Sequence, residues 1–415
     1  MQPLEVIFQA ILENPDDDDL RLAYADKLAA CGDDSDKMRA EFIRIQCELA
    51  HIDVFDPRVA GLQRKEMRLL NRFEEVWAAP LKPYVRSWQF ARGFVEDVSI
   101  DASKFLEFDE ELFRQTPLRR VVFYDYDFVV PELVCRATMA RLRSLKFFLS
   151  PINIDGAIAL GMSPYLAGLS KLEFQSARLD KDAIEAIAQS TKLSSLNSLA
   201  FGWCSLKLDA VEALAEAKGL TGLAALHLRM DNLGDGAVQL IARSHYIGQL
   251  KTLALSHNRI TTDGIRTLVE SPKFSRLERL YLDENELGPT GAELLARAPF
   301  SETLQELSLC LAGIGDFGLI ALARSPHLSQ LRTLCLDYNT IGDDGAEALA
   351  SSSHLSKLNR LTLAGNRIGD RGALALSNWE TPKRIDKLLL QANPISNRVK
   401  DAMRDRFGRS TCRFS

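Results

Sequence analysis

Ten positions spaced 27 residues apart carry Leu142, Leu169, Leu196, Leu223, Leu250, Leu277, Leu304, Leu331, Leu358 and Ile385. Each opens the same phrase, clearest from Leu331 as L-R-T-L-C-L-D-Y-N-T-I-G-D-D-G-A-E-A-L-A. A fixed period of this length predicts a solenoid, because each unit is too small to bury its apolar face without its neighbours. A solenoid offers a long surface rather than an enclosed catalytic pocket. It also lets 415 residues fold without one oversized core.

The first half of each unit alternates. Leu250, Leu253 and Leu255 point one way, and Thr252, Ala254 and Ser256 the other, which is a short strand with one buried face. The ninth position holds Asn258, Asn285, Asn339, Asn366 and Asn393, with Asp231 as a substitute and Ser150 as a weaker one. Ala177, Cys204 and Ala312 interrupt that series. An amide there can satisfy backbone groups as the chain leaves the strand. The second half predicts a helix, with Asp316, Asp343 and Asp370 at the N-cap position. The glycines that follow (Gly264, Gly291, Gly318, Gly345, Gly372) are expected to make room for the unit's own strand.

The phrase L-x-x-L-x-L-x-x-N-x-I/L is the leucine-rich-repeat signature, and the full unit resembles the ribonuclease-inhibitor type. The resemblance covers roughly residues 142–405. It implies an α/β solenoid, a horseshoe with a parallel concave sheet and convex helices. Two degenerate units occupy residues 91–141: Val95, Val98 and Ile100, then Leu118, Val121 and Phe123 with Tyr126 in the Asn position. At the other end Ile395–Val399 lacks the glycine phrase. Arg404–Ser415, with Phe407 and Phe414, is expected to cover the open end, residues 406–415 forming a cap tail.

Residues 1–90 carry no repeat and read as a small all-α domain. Leu4, Ile7, Phe8 and Ile11 share one helical face, a second helix runs from the Asp16–Asp19 cluster to Gly32, and Arg39–His51 and Pro57–Ala78 follow. The strings N-P-D-D-D-D-L-R-L-A-Y-A-D-K, R-A-E-F-I-R-I-Q and, at Arg92–Val98, R-G-F-V-E-D-V resemble the bacterial repeat-companion domain of myxobacteria and planctomycetes. That module stands ahead of leucine-rich repeats, and no activity carries over from it. Lys27 replaces the Trp of the family pattern. The four-Asp run fits helix capping better than a metal site, since calcium loops need alternating ligands and a turn glycine.

Net charge is −5 and the pI about 5.8, which argues against general nucleic-acid binding. No apolar run is long enough to span a membrane, and the first residues lack a secretory pattern. Seven cysteines without framework spacing fit reduced thiols and a cytoplasmic location. There is no phosphate-binding glycine loop, no H-E-x-x-H, no Cys-x-x-Cys and no G-x-S-x-G, so neither catalytic residues, a cofactor nor a metal is expected. His227 and His257 fall on adjacent units at strand positions three apart, too distant for easy shared ligation.

Strand positions three, five, seven and eight, turned away from the core, are the better candidates. They place Trp203, Met230 and His257 in one column, extended by Leu311 and Tyr338, with His227, Arg229, Tyr281 and Asp283 beside it. Aromatic residues, Met and Arg on an exposed sheet have the composition of a binding hot spot. The competing reading packs Trp203 and Met230 inward at an irregular turn. Tyr124, Tyr126 and Phe148 either form a second patch or, as we prefer, seat the helical domain. The functional expectation is a monomeric, non-enzymatic scaffold for a protein or peptide partner, binding neither nucleic acid nor membrane. Alternatives are a regulator of a small GTPase, with Arg229 as stabilising side chain, and a host-targeted effector.

Overall fold

The computed structural model describes residues 3–380, 385–409 and 411–414. The chain divides into two compact units, residues 1–177 with 191–195, and residues 178–190 with 196–415.

The first unit begins with four helices: α1 (Leu4–Glu13), α2 (Asp18–Cys31), α3 (Asp34–His51) and α4 (Val59–Trp77). Helix α3 starts five residues ahead of the expected Arg39, because Asp33 and Asp36 close a capping box on its first turn. Strands β1 (Ser87–Ala91) and β2 (Phe94–Asp101) form an antiparallel hairpin. The sequence reading had no strand at Ser87–Ala91, since its pairing depends on the tight turn at Arg92 and Gly93, where φ is 48° and 89°. From β2 onward β3 (Arg120–Tyr124), β4 (Ser144–Phe148) and β5 (Lys171–Gln175) add in parallel.

Three motifs distant in sequence meet in this unit. Fully buried Arg21 of α2 pairs with Glu96 of β2 at 2.7 Å and donates to the carbonyls of Arg92 and Pro15. Gln46 of α3 accepts from the Gly93 amide at 2.7 Å. A Cβ on Gly93 would stand 2.3 Å from Ile43, so the hairpin docks on α3 only with glycine there. The acidic run divides its work. Asp17 caps α2, Asp18 meets Arg92 and His51, and Asp16 meets Arg92 and Arg119. Tyr126 is buried and its hydroxyl donates to the Ser150 carbonyl, so it belongs to the core rather than to a surface patch. Tyr124 stacks at the edge of Phe148 and is covered by Arg86, not by the helices.

The second unit is a repeat array. Its strands are β6 (Ser198–Gly202), β7 (Ala225–Arg229), β8 (Thr252–Ala254), β9 (Arg279–Tyr281), β10 (Glu306–Ser308), β11 (Thr333–Cys335), β12 (Arg360–Thr362), β13 (Lys387–Leu389) and β14 (Cys412–Arg413). They pair in parallel, and from β6 to β13 each residue meets the one 27 positions on, as Leu307 meets Leu334. Sequence period and sheet register are therefore the same quantity. A helix follows each strand from β6 to β13, as at Asp343–Ala350 after β11. The leucines of the period are buried from Leu196 to Leu358, and Ile385 is partly exposed.

Polar groups link each unit to the next. Asn285 Oδ1 accepts the Asn258 and Ile260 amides of the preceding unit, while its Nδ2 donates to the Leu255 and Leu282 carbonyls. Asn258, Asn339, Asn366 and Asn393 repeat the pattern. The aspartates behave differently from the expectation. Asp316 and Asp343 do not cap their own helices; the Asp316 carboxylate accepts the Gly342 and Gly345 amides at 2.7 and 3.0 Å, capping the following one. Asp343 does the same for Gly369 and Gly372, and Asp370 accepts from Ser396. This also corrects the role of the glycines. A Cβ on Gly345 would lie 2.6 Å from Asp316 Oδ1, and one on Gly372 2.7 Å from Asp343 Oδ1. At Gly264, Gly345 and Gly372 it is the preceding unit's carboxylate that leaves no room, while at Gly291 and Gly318 it is the unit's own Leu287 and Ile314.

A further series went unread in the sequence. Ser244, Ser325 and Ser352, just after three of the helices, donate to the carbonyls of Ala215, Ala296 and Ala323, each 29 residues back. At the C-terminal end β14 pairs with β13, and the residue that enters the core is Cys412, with Phe407 and Phe414 half-buried. Ser410 and Ser415 of the expected tail lie outside the described residues.

Candidate functional site

The eighth position of each unit follows the strand, where the backbone must turn toward the helix. In the second unit Trp203, Met230, His257, Glu284, Leu311, Tyr338, Gly365 and Ala392 all occupy it with φ between 53° and 64°. That left-handed conformation suits glycine and costs a larger residue about 1 kcal/mol. Only one of the eight is glycine. The conformation aims each side chain off the sheet: Trp203 and Tyr338 are 56% exposed, Leu311 51% and Met230 36%. Trp203 and Met230 therefore do not pack inward. Neighbours in the column touch where chemistry allows. His257 Nδ1 lies 2.9 Å from Glu284 Oε2, and the Tyr338 ring lies over Gly365, where a Cβ would approach it to 2.3 Å.

Beside this column the strand positions carry a polar group. Arg229 of β7 donates from Nη2 to His227 Nδ1 at 3.0 Å, which makes Nδ1 the acceptor of a neutral imidazole. The guanidinium lies 5.7 Å from the centroid of the Tyr281 ring, two strands away. Ala254 on the strand between is fully buried although it faces the same side. Burial, and then the neighbouring Glu306, push the Tyr281 hydroxyl well above its usual range. Asp283 is committed internally: it accepts from Ser256 Oγ at 3.1 Å, from the Cys310 amide at 2.9 Å and from Ser308 Oγ. Asp337, at the equivalent position two repeats on, likewise accepts the Ala364 amide at 2.7 Å.

The site thus has an apolar pair at one end (Trp203, Met230), an apolar pair further along (Leu311, Tyr338), and polar residues between. Cys310 and Cys335 stand on adjacent strands as free thiols, and burial pushes the Cys310 thiol up to about 12. Among the described residues no group of three or more metal-ligating side chains gathers. No helix among them is long and apolar enough to cross a membrane.

Three segments, residues 250–269, 327–350 and 354–377, match the leucine-rich-repeat family model. The chain carries leucine-rich repeats, and the resemblance seen in the sequence holds at that level. Among curated proteins none matches. A chain of the yeast Rad7–Elc1 complex is similar over 88% of this chain and 90% of its own, at 15% identity and a TM-score of 0.56. An internalin, inlF, from Listeria monocytogenes is similar over 82% of this chain and 94% of its own, at 16% identity and a TM-score of 0.44. A chain of the TLR13–ssRNA13 complex matches over 68% of this chain and 36% of its own, at 19% identity and a TM-score of 0.42. The likeness to the Rad7–Elc1 chain supports the α/β repeat fold and nothing more specific.

Proposed function

We propose that this chain is a non-enzymatic interaction scaffold of the ribonuclease-inhibitor repeat type that captures a protein or peptide partner on the open face of residues 198–392. One observation carries the reading. Trp203, Met230, Leu311 and Tyr338 are large, exposed and held in a conformation that costs energy. Side chains of that size on a soluble face, maintained against strain, are the anchors of a recognition surface. The acidic net charge favours a protein partner over nucleic acid. The buried cysteines Cys47, Cys204 and Cys412 fit a reducing, cytoplasmic setting. We read residues 1–90 as a companion module that packs on the β1–β2 hairpin of its own unit, supported by the meeting of Arg21, Gln46 and Gly93. Arg229 is held by His227 and Tyr281, and nothing favours it as a GTPase-stabilising finger.

The test is affinity capture with the double variant Trp203→Ala, Tyr338→Ala. Both side chains are exposed, so the thermal midpoint should stay within a few degrees. Partner affinity should fall by about thirtyfold or more. Capture profiles identical to those of the unsubstituted protein would remove the site.

A further inference from the structure

Among the described residues Arg229 has no carboxylate partner. Among these its recorded polar contact is with His227, its ring contact is with Tyr281, and its Nε is buried with no hydrogen-bond partner. The carboxylates on the neighbouring strands are spoken for. Asp283 binds Ser256, Ser308 and the Cys310 amide, Glu284 pairs with His257, and Glu306 bonds the Tyr281 hydroxyl. Asp231, two residues along, accepts the Ser205 amide through Oδ1 and keeps Oδ2 buried, paired with no cation among the described residues. Arg279, whose guanidinium is also near Tyr281, is turned to Thr252 Oγ1 at 2.9 Å.

A half-buried guanidinium fixed on an aromatic face, with its own acids engaged elsewhere, is arranged to take an external carboxylate through its planar fork. Resting on the scaffold reading above, we infer that Arg229 is the specificity-determining residue of the open face. It binds an Asp or Glu side chain of a peptide segment whose bulky apolar residues occupy the Trp203–Met230 and Leu311–Tyr338 pairs. An internal acidic residue fits better than a chain terminus. Exposed apolar anchors lie just after β6 and β7 and again after β10 and β11, and the Arg229 guanidinium over Tyr281 of β9 lies along the way of a segment that reaches both pairs. Nε is buried out of an external ligand's reach, and one Nη2 hydrogen goes to His227, so Nη1 and the remaining Nη2 hydrogen are the fork that a bound carboxylate would engage.

The test begins with a random-peptide display library selected on the full-length protein, using only clones whose binding is lost in the Trp203→Ala, Tyr338→Ala variant. Synthetic copies are then titrated by fluorescence anisotropy. The selected sequences are expected to carry Asp or Glu close to an aromatic or aliphatic residue. Arg229→Gln should weaken them about tenfold or more. Exchanging the peptide acid for its amide should cost wild type the same factor and cost Arg229→Gln nothing further. Arg229→Lys keeps the charge but not the fork and should fall between. If Arg229→Gln melts early, the amide peptide on wild type and the lysine variant still decide the question. Peptides that need Trp203 but carry no acid, or whose acid is indifferent to Arg229, would overturn the carboxylate assignment and leave the scaffold reading standing. Loss of binding on amidating only the peptide C-terminus would overturn it equally. Failure to recover any clone dependent on Trp203 or Tyr338 would sink the scaffold reading, and this inference with it.

Discussion

Asp231 shows how much one residue in a repeat can depart from its role. It stands in the asparagine ladder, but its Oδ1 accepts the amide of Ser205, 26 residues back, whereas Asn285 Oδ1 accepts those 27 and 25 residues back. In the other rungs the second side-chain atom is an N–H donor aimed at carbonyls, as Asn258 Nδ2 is at Leu228 and Leu255. In Asp231 that place is taken by Oδ2, which is buried and has no partner. Only a protonated carboxyl could donate there. Burial accordingly pushes its pKa up to about 6. A raised carboxyl pKa means that the native state holds the proton more tightly than the unfolded chain. The stability this contributes is complete below the unfolded value of about 4 and is lost as pH rises through about 6. Asp231→Asn should therefore stabilise the protein by about 1–2 kcal/mol near neutral pH, allowing for partial solvent contact. Thermal melts should show that advantage shrinking as pH falls toward about 4. A constant difference across that range would refute the account. Position eight makes the opposite point, since its strained side chains are retained without any internal partner at Trp203, Leu311 or Met230 being needed for the fold.

At the scale of the element, the helix starts at Thr261, Gly342, Gly369 and Ser396 are completed by carboxylates from the unit before, those of Asp235, Asp316, Asp343 and Asp370. Asp316→Ala should cost about 1 kcal/mol, the usual worth of a cap. The damage should appear in the wrong place for a self-capping helix. Hydrogen exchange should speed up at Gly342 and Gly345, at the head of the helix Asp343–Ala350, and not in the helix Gly315–Arg324 that carries the substitution. Equal protection in both helices would contradict the crossed capping. Strands, their register and the buried leucines were legible in the sequence because they follow from one period and one alternation. The capping partner was not, because 26 residues of chain separate Asp316 from Gly342 and local signals look the same for either arrangement. The hairpin at Ser87–Ala91 escaped for a related reason: its pairing is decided by a glycine turn and by docking on α3. At the candidate site the column was legible through the period. The engagement of Asp283 and the isolation of Arg229 depend on contacts across strands that periodicity does not encode.

For the molecule as a whole, the buried thiols report how the units open. Cys135 is exposed and should react with a maleimide at once near neutral pH. Cys47, Cys204 and Cys412 are buried, and burial pushes the Cys47 thiol up to about 11 and that of Cys412 to about 12. They should react only through opening. Cys412 sits in a two-residue strand joined to β13 by the Leu388 and Leu390 amides. In mild denaturant it should label at least about tenfold faster than Cys204, as expected of an array that frays from its end. Simultaneous labelling, read by intact-mass spectrometry, would instead mean that residues 196–415 open as one. The forward reach of the aspartates and the backward reach of the asparagines have a consequence for descent as well as for stability. Both bonds are satisfied whenever the spacing is a whole repeat. A gain or loss of whole 27-residue blocks that carry both residues would still close their junctions, whereas a slip of one residue would break the bonds on both sides. The number of units is free to drift; their phase is inherited intact.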